Sequence, residues 1–150
     1  MVIAVLCFIV KEGRVLLAMK KRGFGEGWWN GAGGKSEEGE ELIDAVYRET
    51  REEIGIVPKD PRHHGVLHFF FEDGTPDWQV HVFRAEDFEG EPAESEEMKP
   101  AWFAFEEIPY EKMWAGDPHW LPLLLEGKRF EGKFSFRDNN TMVSHEVSEL

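Results

Sequence analysis

Runs of apolar residues separated by polar or glycine-containing segments predict β-strands along most of this chain. The first two runs are divided only by Lys11, Glu12 and Gly13, which is the pattern of a β-hairpin. The last two runs alternate between apolar and other positions, as expected for strands with one buried face. The predicted strands cover residues 2–10, 15–19, 66–71, 78–85, 101–105, 130–136 and 142–147.

Two further segments have the features of helices. Apolar residues recur at helical spacing from about residue 40 to residue 54, and Gly55 follows where a helix commonly ends. A second helix is predicted over residues 118–127, with Asp117 as its N-cap and Pro118 at its first position. A glycine-rich loop over 23–39 and an acidic loop over 86–99 complete the pattern. Since strands and helices are intermixed without a regular βαβ repeat, we expect an α+β fold with one mixed sheet between helices.

Composition narrows the classes of function. The 150 residues suit one domain, 1–150, with a single core. The net charge of −13 argues against polymeric nucleic acid as a partner but permits a free nucleotide, whose phosphates metal ions can screen. Cys7 is the sole cysteine, which fits a reducing compartment. Residues 1–10 lack a basic leader and are too short to span a bilayer, so we expect a buried strand there and a cytoplasmic protein without membrane contact. We also expect a monomer.

Three carboxylates near the end of the first helix carry the strongest chemical signal. At about 100° per residue, Glu49 and Glu53 fall on the side of Leu42 and Val46, and Glu52 lies about 60° further round. Like charges disfavour one another's ionisation unless a cation neutralises them. Mg²⁺ prefers oxygen ligands and often bridges carboxylates to substrate phosphates. The pattern indicates a metal-dependent enzyme acting on a phosphate compound.

A surface helix is the alternative interpretation of the same residues. Arg48 and Glu52 have the i,i+4 spacing of an exposed ion pair, and such pairs are common on solvated helix faces. Helical geometry alone leaves both interpretations open.

The spacing around these acids resembles the Nudix box. That motif is a Gly, five residues, Glu, seven residues, Arg-Glu, two residues, Glu-Glu, one residue and Gly. Thr50 departs mildly from it, because the family usually has a larger apolar residue there. The residues that match the motif are Gly34, Glu40, Arg48, Glu49, Glu52, Glu53 and Gly55.

Segments outside the box are similar to the MutT-type hydrolases of oxidised purine nucleoside triphosphates, the animal branch especially. The similarity covers roughly residues 2–136 and therefore indicates a subfamily, not only the Nudix fold. The matching segments are 20–25, 29–31, 33–35, 80–83, 97–98, 102–103, 113–114 and 122–125, with Pro100 and Trp120.

This resemblance implies a reaction and a set of metal ligands. Water would attack a phosphorus of the triphosphate and release a nucleoside monophosphate and pyrophosphate. Mg²⁺, or Mn²⁺ as a substitute, would neutralise the developing charge. The ion would be held by Glu49, Glu52 and Glu53, with a backbone carbonyl near Gly33 or Gly34.

Four more residues acquire roles by the same resemblance. Glu97 matches the family's loop glutamate as a metal ligand or base, whereas a solvated charge run is the alternative. Arg48 and Glu40 would position the acids and the loop rather than react. Lys20 would approach the phosphates, although a solvated strand end explains it equally well.

The resemblance also implies a pocket that binds the base of the nucleotide. Its walls would be aromatic, and Asn30 and Asp117 would bind the edge of the base, although ordinary core packing is the alternative for the aromatic residues. The family's animal members carry two adjacent acids after the pocket tryptophan, whereas this chain has Gly116 and then Asp117. The wall residues would be Phe24, Phe69, Phe71, Trp78 and Trp114.

Together these features predict Mg²⁺-dependent hydrolysis of oxidised purine nucleoside triphosphates such as 8-oxo-dGTP. A Nudix pyrophosphatase for unmodified dNTPs or dinucleoside polyphosphates is the nearest alternative. A non-catalytic nucleotide-binding module has no need of three converging carboxylates, and RNA decapping is disfavoured by the charge of −13.

Overall fold

Strands dominate the computed structural model, which describes residues 1–138 and 141–150. The strands are β1 (Val2–Lys11), β2 (Arg14–Lys20), β3 (Trp29–Asn30), β4 (Ala32–Lys35), β5 (Val57–Lys59), β6 (Arg62–Phe71), β7 (Trp78–Ala85), β8 (Asp87–Glu89), β9 (Met98–Ala104), β10 (Phe130–Asp138) and β11 (Thr141–Glu149). The α-helices are α1 (Leu42–Ile54) and α2 (Asp117–Leu125), and single 3₁₀ turns cover Phe105–Glu107 and Tyr110–Lys112. None of these helices is long and apolar enough to cross a membrane.

Nine strands form one mixed sheet. Its order is β11-β10-β6-β7-β1-β2-β3, with β4 paired to β1 and β9 paired to β2. The pairs β1–β7 and β6–β10 are parallel, whereas β1–β2, β6–β7 and β10–β11 are antiparallel. The remaining strands, β5 and β8, pair with each other. The expected mixed sheet is therefore confirmed.

The central strand β1 is buried on both faces, and each face belongs to a different core. Val5 and Cys7 pack in the core that contains Ala45 and Val46 of α1. Phe8, on the other face, packs in the core of α2, where its ring meets Trp120 edge-on at 5.6 Å. The sheet lies between the two helices, as the sequence predicted.

Helix α1 follows its predicted pattern closely. It begins at Leu42 rather than near residue 40, because Glu41 is still extended (φ −73°, ψ 149°). It ends at Gly55, whose left-handed backbone (φ 72°) lets its N–H donate to the Arg51 carbonyl at 3.0 Å. Thr50 is 1% exposed, and its hydroxyl donates to the Val46 carbonyl at 2.6 Å. The buried polar side chain is thus satisfied within the helix.

Two segments predicted as loops contain strands. The glycine-rich segment 23–39 includes β3 and β4, and the acidic segment 86–99 includes β8 and the start of β9. In β4, a Cβ at Gly33 would lie 1.9 Å from the carbonyl oxygen of Val5. The glycines that hide the strand pattern are what let β4 approach β1 this closely.

Candidate active site

A cavity of about 730 Å³ opens between the glycine-rich segment, α1 and the aromatic residues of β6 and β7. Most residues expected at the site line it, with carboxylates and aromatic rings contributing to the same wall. Four expected residues, Arg48, Glu40, Glu52 and Glu97, do not. The expected residues that line it are Lys20, Phe24, Asn30, Gly33, Gly34, Glu49, Glu53, Phe69, Phe71, Trp78, Trp114 and Asp117.

Two carboxylates of α1 meet at this cavity. The side chains of Glu49 and Glu53 are hydrogen-bonded, and burial together with Glu49 raises the pKa of Glu53 well above its ordinary range. The charge of Lys20 and a backbone hydrogen bond from Gly33 act in the opposite direction. A Cβ at Gly34 would lie 2.8 Å from Oε2 of Glu49, so a side chain at this position would displace the carboxylate from its present place.

The Glu49–Glu53 pair fits a hard cation. Oε2 of Glu53 is buried without a hydrogen-bond partner among the described residues, and the adjacent carboxylates would be relieved by a positive charge. Glu52 does not line the cavity with this pair, and its side chain is 62% exposed. No three acidic, histidine or cysteine side chains within 1–138 and 141–150 are already arranged as a metal cluster. The structure therefore brings together two of the three expected carboxylate ligands.

Arg48 ties α1 to the preceding loop. Its Nε donates to Glu40 at 2.8 Å, its Nη1 to Glu49 at 2.8 Å, and its Nη2 to the Lys35 carbonyl at 3.2 Å. The hydrogen bonds from Arg48 to Glu40, together with one from the backbone N–H of Glu37, lower the pKa of Glu40 to about 2. Arg48 also approaches Glu52, at 3.4 Å. Arg48 thus holds the glycine-rich segment against the helix and orients the Glu49 carboxylate.

Glu97 lies outside the cavity wall. Its carboxylate accepts hydrogen bonds from Nε and Nη2 of Arg22 at 3.0 and 2.6 Å, and Arg22 lowers its pKa. Both side chains are at least half exposed. In this structure Glu97 is therefore an ion-pair partner at the end of β2, as the solvated-charge alternative describes.

The aromatic wall comes from adjacent strands of the sheet and from two loops. Phe69 of β6 stacks on Phe134 of β10 at 5.5 Å, and Phe71 stacks on Phe136 at 5.6 Å. These rings contact the core behind them while also lining the cavity, so the core and pocket interpretations both hold. The ring of Trp78 lies beneath the ammonium of Lys35, at 5.5 Å.

Asn30 presents a hydrogen-bond donor to the cavity. Its Oδ1 already accepts the backbone N–H of Gly31 at 2.8 Å. Its Nδ2 has no hydrogen-bond partner within the described part of the chain, and the residue lines the cavity. The sequence predicted that the Asn30 amide both donates to and accepts from the base. In the structure its oxygen is already bonded to Gly31, so mainly the Nδ2 donor remains for a ligand.

The expectation that Asp117 is the N-cap of α2 is wrong. Gly116 occupies the N-cap position, and Asp117 is the first helical residue. Its Oδ2 accepts the backbone N–H of Trp114 at 3.2 Å, and its Oδ1 accepts Nε1–H of Trp120 at 3.1 Å. Because Asp117 is only 4% exposed, burial raises its pKa to about 7 despite these bonds.

Several residues that line the cavity were not among the site residues predicted from the sequence. Trp28 directly precedes the matching segment 29–31 and Lys35 lies within the matching segment 33–35, which was the available signal. Asp73 and Thr75 belong to the turn between β6 and β7, which carried no signal. The additional polar and aromatic lining residues include Trp28, Lys35, Asp73, Thr75 and Trp120.

Comparisons with known proteins agree with this architecture. Residues 1–124 match the family described as NUDIX domain. The chain is 48% identical to the zebrafish (Danio rerio) "Oxidized purine nucleoside triphosphate hydrolase" and 46% identical to its mouse (Mus musculus) namesake. Each alignment covers 97% of this chain and 93% of the relative. A MutT protein structure from Bacillus halodurans superposes with a TM-score of 0.88 at 31% identity, covering 99% of this chain and 98% of the other. The chain therefore belongs to the Nudix hydrolase family.

Proposed function

We propose that this protein hydrolyses oxidised purine nucleoside triphosphates, such as 8-oxo-dGTP, to nucleoside monophosphate and pyrophosphate, and so cleanses the nucleotide pool. The observation that carries the proposal is that the Glu49–Glu53 pair and the aromatic residues line the same cavity. The zebrafish and mouse relatives bear the name of this activity.

The acidic part of the cavity would hold the metal ion. Nudix hydrolases generally act with divalent ions, and we propose Mg²⁺, with Mn²⁺ as a substitute. Glu49 and Glu53 would be its carboxylate ligands, joined by Glu52 and by backbone carbonyls at Gly33 or Gly34. When bound, the ion supplies charge neutralisation at the phosphates and a more acidic water.

Cationic side chains on the cavity wall complement the phosphates. Lys20 is close enough to Glu53 to lower the pKa of its carboxyl, so its ammonium can contact a phosphate beside the acids. Lys35 lies over the ring of Trp78, which places a second positive charge at the wall. Both cations would orient the triphosphate and offset its charge.

The aromatic part would bind the base. Phe24, Phe69, Phe71, Trp78 and Trp114 supply ring surface for stacking, and the Nδ2 group of Asn30 donates to an acceptor on the purine edge. Asp117, when protonated, can donate a hydrogen bond as well.

A second candidate is Nudix hydrolysis of other nucleotides, unmodified dNTPs in particular. The observation that favours it is Gly116, which leaves Asp117 as the sole acid in the Trp114–Asp117 segment. With one acid, the pocket has fewer ways to distinguish an oxidised purine from its parent.

The deciding experiment measures pyrophosphate release across normal and oxidised nucleoside triphosphates, with and without Mg²⁺. We expect the highest kcat/KM for an oxidised purine and little turnover without the ion. Equal turnover of dGTP and 8-oxo-dGTP would favour the second candidate. No turnover of any nucleotide would contradict both.

The same assay tests the metal ligands through Glu53→Gln. We expect kcat to fall by at least ~10²-fold, because a ligand of the catalytic ion is lost. Folding should persist, since the change removes like charge beside Glu49. Glu41→Gln, an exposed acid at the start of α1, is the matched control. Near-native turnover of the Glu53 variant would remove Glu53 from the mechanism.

We also infer one domain over residues 1–150, a monomeric state and a cytoplasmic location. One sheet contains strands from Val2 to Glu149, which supports a single folding unit. The sole cysteine, Cys7, is buried and burial raises its pKa to about 12, as suits an inert thiol in a reducing compartment. The monomer is testable by sedimentation equilibrium.

A further inference from the structure

The ring of Trp114 is packed against the segment that joins β2 to β3. Phe24 stacks on it with ring centroids 5.3 Å apart and planes inclined by 24°. Trp28 stacks on it at 5.8 Å with planes inclined by only 14°. A Cβ at Gly25 would lie 3.4 Å from Cζ2 of Trp114, so the ring also lies close to the backbone of this segment.

Phe24 and Trp28 differ in how they are held. Phe24 is 65% exposed and sits between Gly23 and Gly25, which both have left-handed backbones (φ 81° and 86°). Trp28 is half-buried, and its carbonyl accepts the N–H of Lys20 at 3.0 Å, at the end of β2. Trp28 is therefore anchored to the main sheet, whereas Phe24 lies on an exposed turn.

Trp114 itself lies in a loop between a 3₁₀ turn and α2. Its backbone N–H donates to Asp117, which fixes the main chain but not the angle of the indole ring. The nearly parallel ring of Trp28 is the better anchored of the two stacking partners. The indole of Trp114 thus packs against the β2–β3 connection, although Trp28 and Trp114 are far apart in sequence.

We propose that Trp28 is a positioning and specificity-determining residue of the base pocket: it holds Trp114 at the angle at which a purine stacks, and its own ring extends the wall. The inference rests on the proposed function, because it assumes that a nucleobase enters this cavity. Stacking gains depend on overlapping ring area, so a purine, with two rings, depends more on this wall than a pyrimidine does.

The test compares Trp28→Leu and Trp28→Phe with a matched control, Trp102→Leu. Trp102 is also half-buried and contacts the ring of Phe88 at 5.9 Å with planes inclined by 32°, but it packs with the α1 core and does not line the cavity. For each protein, KM and kcat are measured for 8-oxo-dGTP and dCTP. The dissociation constant of 8-oxo-dGMP is measured by calorimetry, and thermal unfolding monitors folding.

We expect Trp28→Leu to raise KM for 8-oxo-dGTP and the dissociation constant of 8-oxo-dGMP about tenfold, in line with partial loss of stacking. The kcat should stay within about twofold, and dCTP should be affected less. Trp28→Phe should restore most of the binding, and Trp102→Leu should leave it unchanged. If Trp28→Leu does not fold, Trp28→Met, which keeps an apolar side chain without a ring, takes its place, and a dissociation constant of 8-oxo-dGMP within twofold of the wild-type value would overturn the inference.

The experiments distinguish a failure of the inference about Trp28 from a failure of the proposed function. If the wild type hydrolyses 8-oxo-dGTP and a folded Trp28→Leu binds 8-oxo-dGMP as tightly as Trp102→Leu does, only the role of Trp28 is overturned. Equal losses in kcat and KM for both bases would also overturn it, because they indicate general damage. If the wild type binds 8-oxo-dGMP through Trp28 without hydrolysing the triphosphate, only the proposed function fails. Absence of both binding and turnover overturns both.

Discussion

Asp117 makes the stability of this protein depend on pH in an unusual direction. Its carboxyl is buried, and its pKa rises from the ordinary 3.8 to about 7. Below pH 4 the group is protonated in both the folded and the unfolded chain. Between pH 4 and 7 the unfolded chain loses the proton while the folded protein keeps it, so the free energy of unfolding falls as pH rises. Above pH 7 both states are ionised and the loss is complete.

The size of the effect follows from the pKa difference. At roughly 1.4 kcal/mol for each pH unit between the two pKa values, the full loss is about 4 kcal/mol. Replacing Asp117 by Asn removes the titration. The substitution also leaves a hydrogen-bond donor where an acceptor faced Trp114 or Trp120, which costs about 1–3 kcal/mol at every pH. The two effects separate because only the first changes with pH.

Urea unfolding at pH 5, 6, 7 and 8 measures the difference between wild type and Asp117→Asn. We expect that difference to shift in favour of the variant by about 2–3 kcal/mol between pH 5 and 8, mostly below pH 7. Other titrating groups occur in both proteins and cancel. Asp73→Asn is the control, because Asp73 is exposed and hydrogen bonds from Thr75 lower its pKa, so its titration lies below this range.

A constant difference between wild type and Asp117→Asn over pH 5–8 would refute this reasoning. It would mean that the Asp117 carboxyl is ionised throughout, as a solvated side chain would be. If the reasoning holds, purine selectivity should also change near pH 7, because the protonated carboxyl donates a hydrogen bond and the ionised one only accepts.

Two further predictions concern base recognition. Asn30→Ala should raise KM for the best purine by ~10-fold or more and leave pyrimidine triphosphates little changed, since a donor to the purine edge is lost; equal losses for all bases would indicate a structural role instead. Wild type should accept a narrower range than the animal enzymes, measured as kcat/KM for 8-oxo-dGTP, 2-oxo-dATP and dGTP. Gly116→Asp should not simply widen that range, because its Cβ would lie 2.9 Å from Cδ1 of Phe134 and destabilise the fold by roughly 1–3 kcal/mol in urea unfolding. Efficient hydrolysis of both oxidised purines by the wild type would contradict the expected narrow range. A Gly116→Asp variant as stable as the wild type would contradict the expected clash with Phe134.

Local patterns in the sequence predicted much of the fold. The β1–β2 hairpin, the strand Trp78–Ala85 and the end of α1 at Gly55 all agree with the structure. Their signals lie within a few residues: apolar runs, a turn and a left-handed glycine. The family was also predictable, because the box spacing is a local motif, and the comparisons confirm it.

Tertiary structure decided which members of the local patterns share a site. Helical spacing puts Glu52 only about 60° from Glu49 and left all three acids as candidate ligands, yet only Glu49 and Glu53 meet at the cavity while Glu52 is exposed. Strand β4 was hidden because glycine carries no strand propensity, and its pairing depends on the distant Val5.

The raised pKa of Asp117 and the contact of Trp28 with Trp114 likewise could not be predicted from the sequence. An acid followed by proline has the local features of a helix cap, but its pKa depends on burial by residues from other parts of the chain. Stacking between Trp28 and Trp114 joins segments more than 80 residues apart. Local periodicity specifies which face of an element is buried, whereas desolvation and stacking depend on which faces the fold brings together.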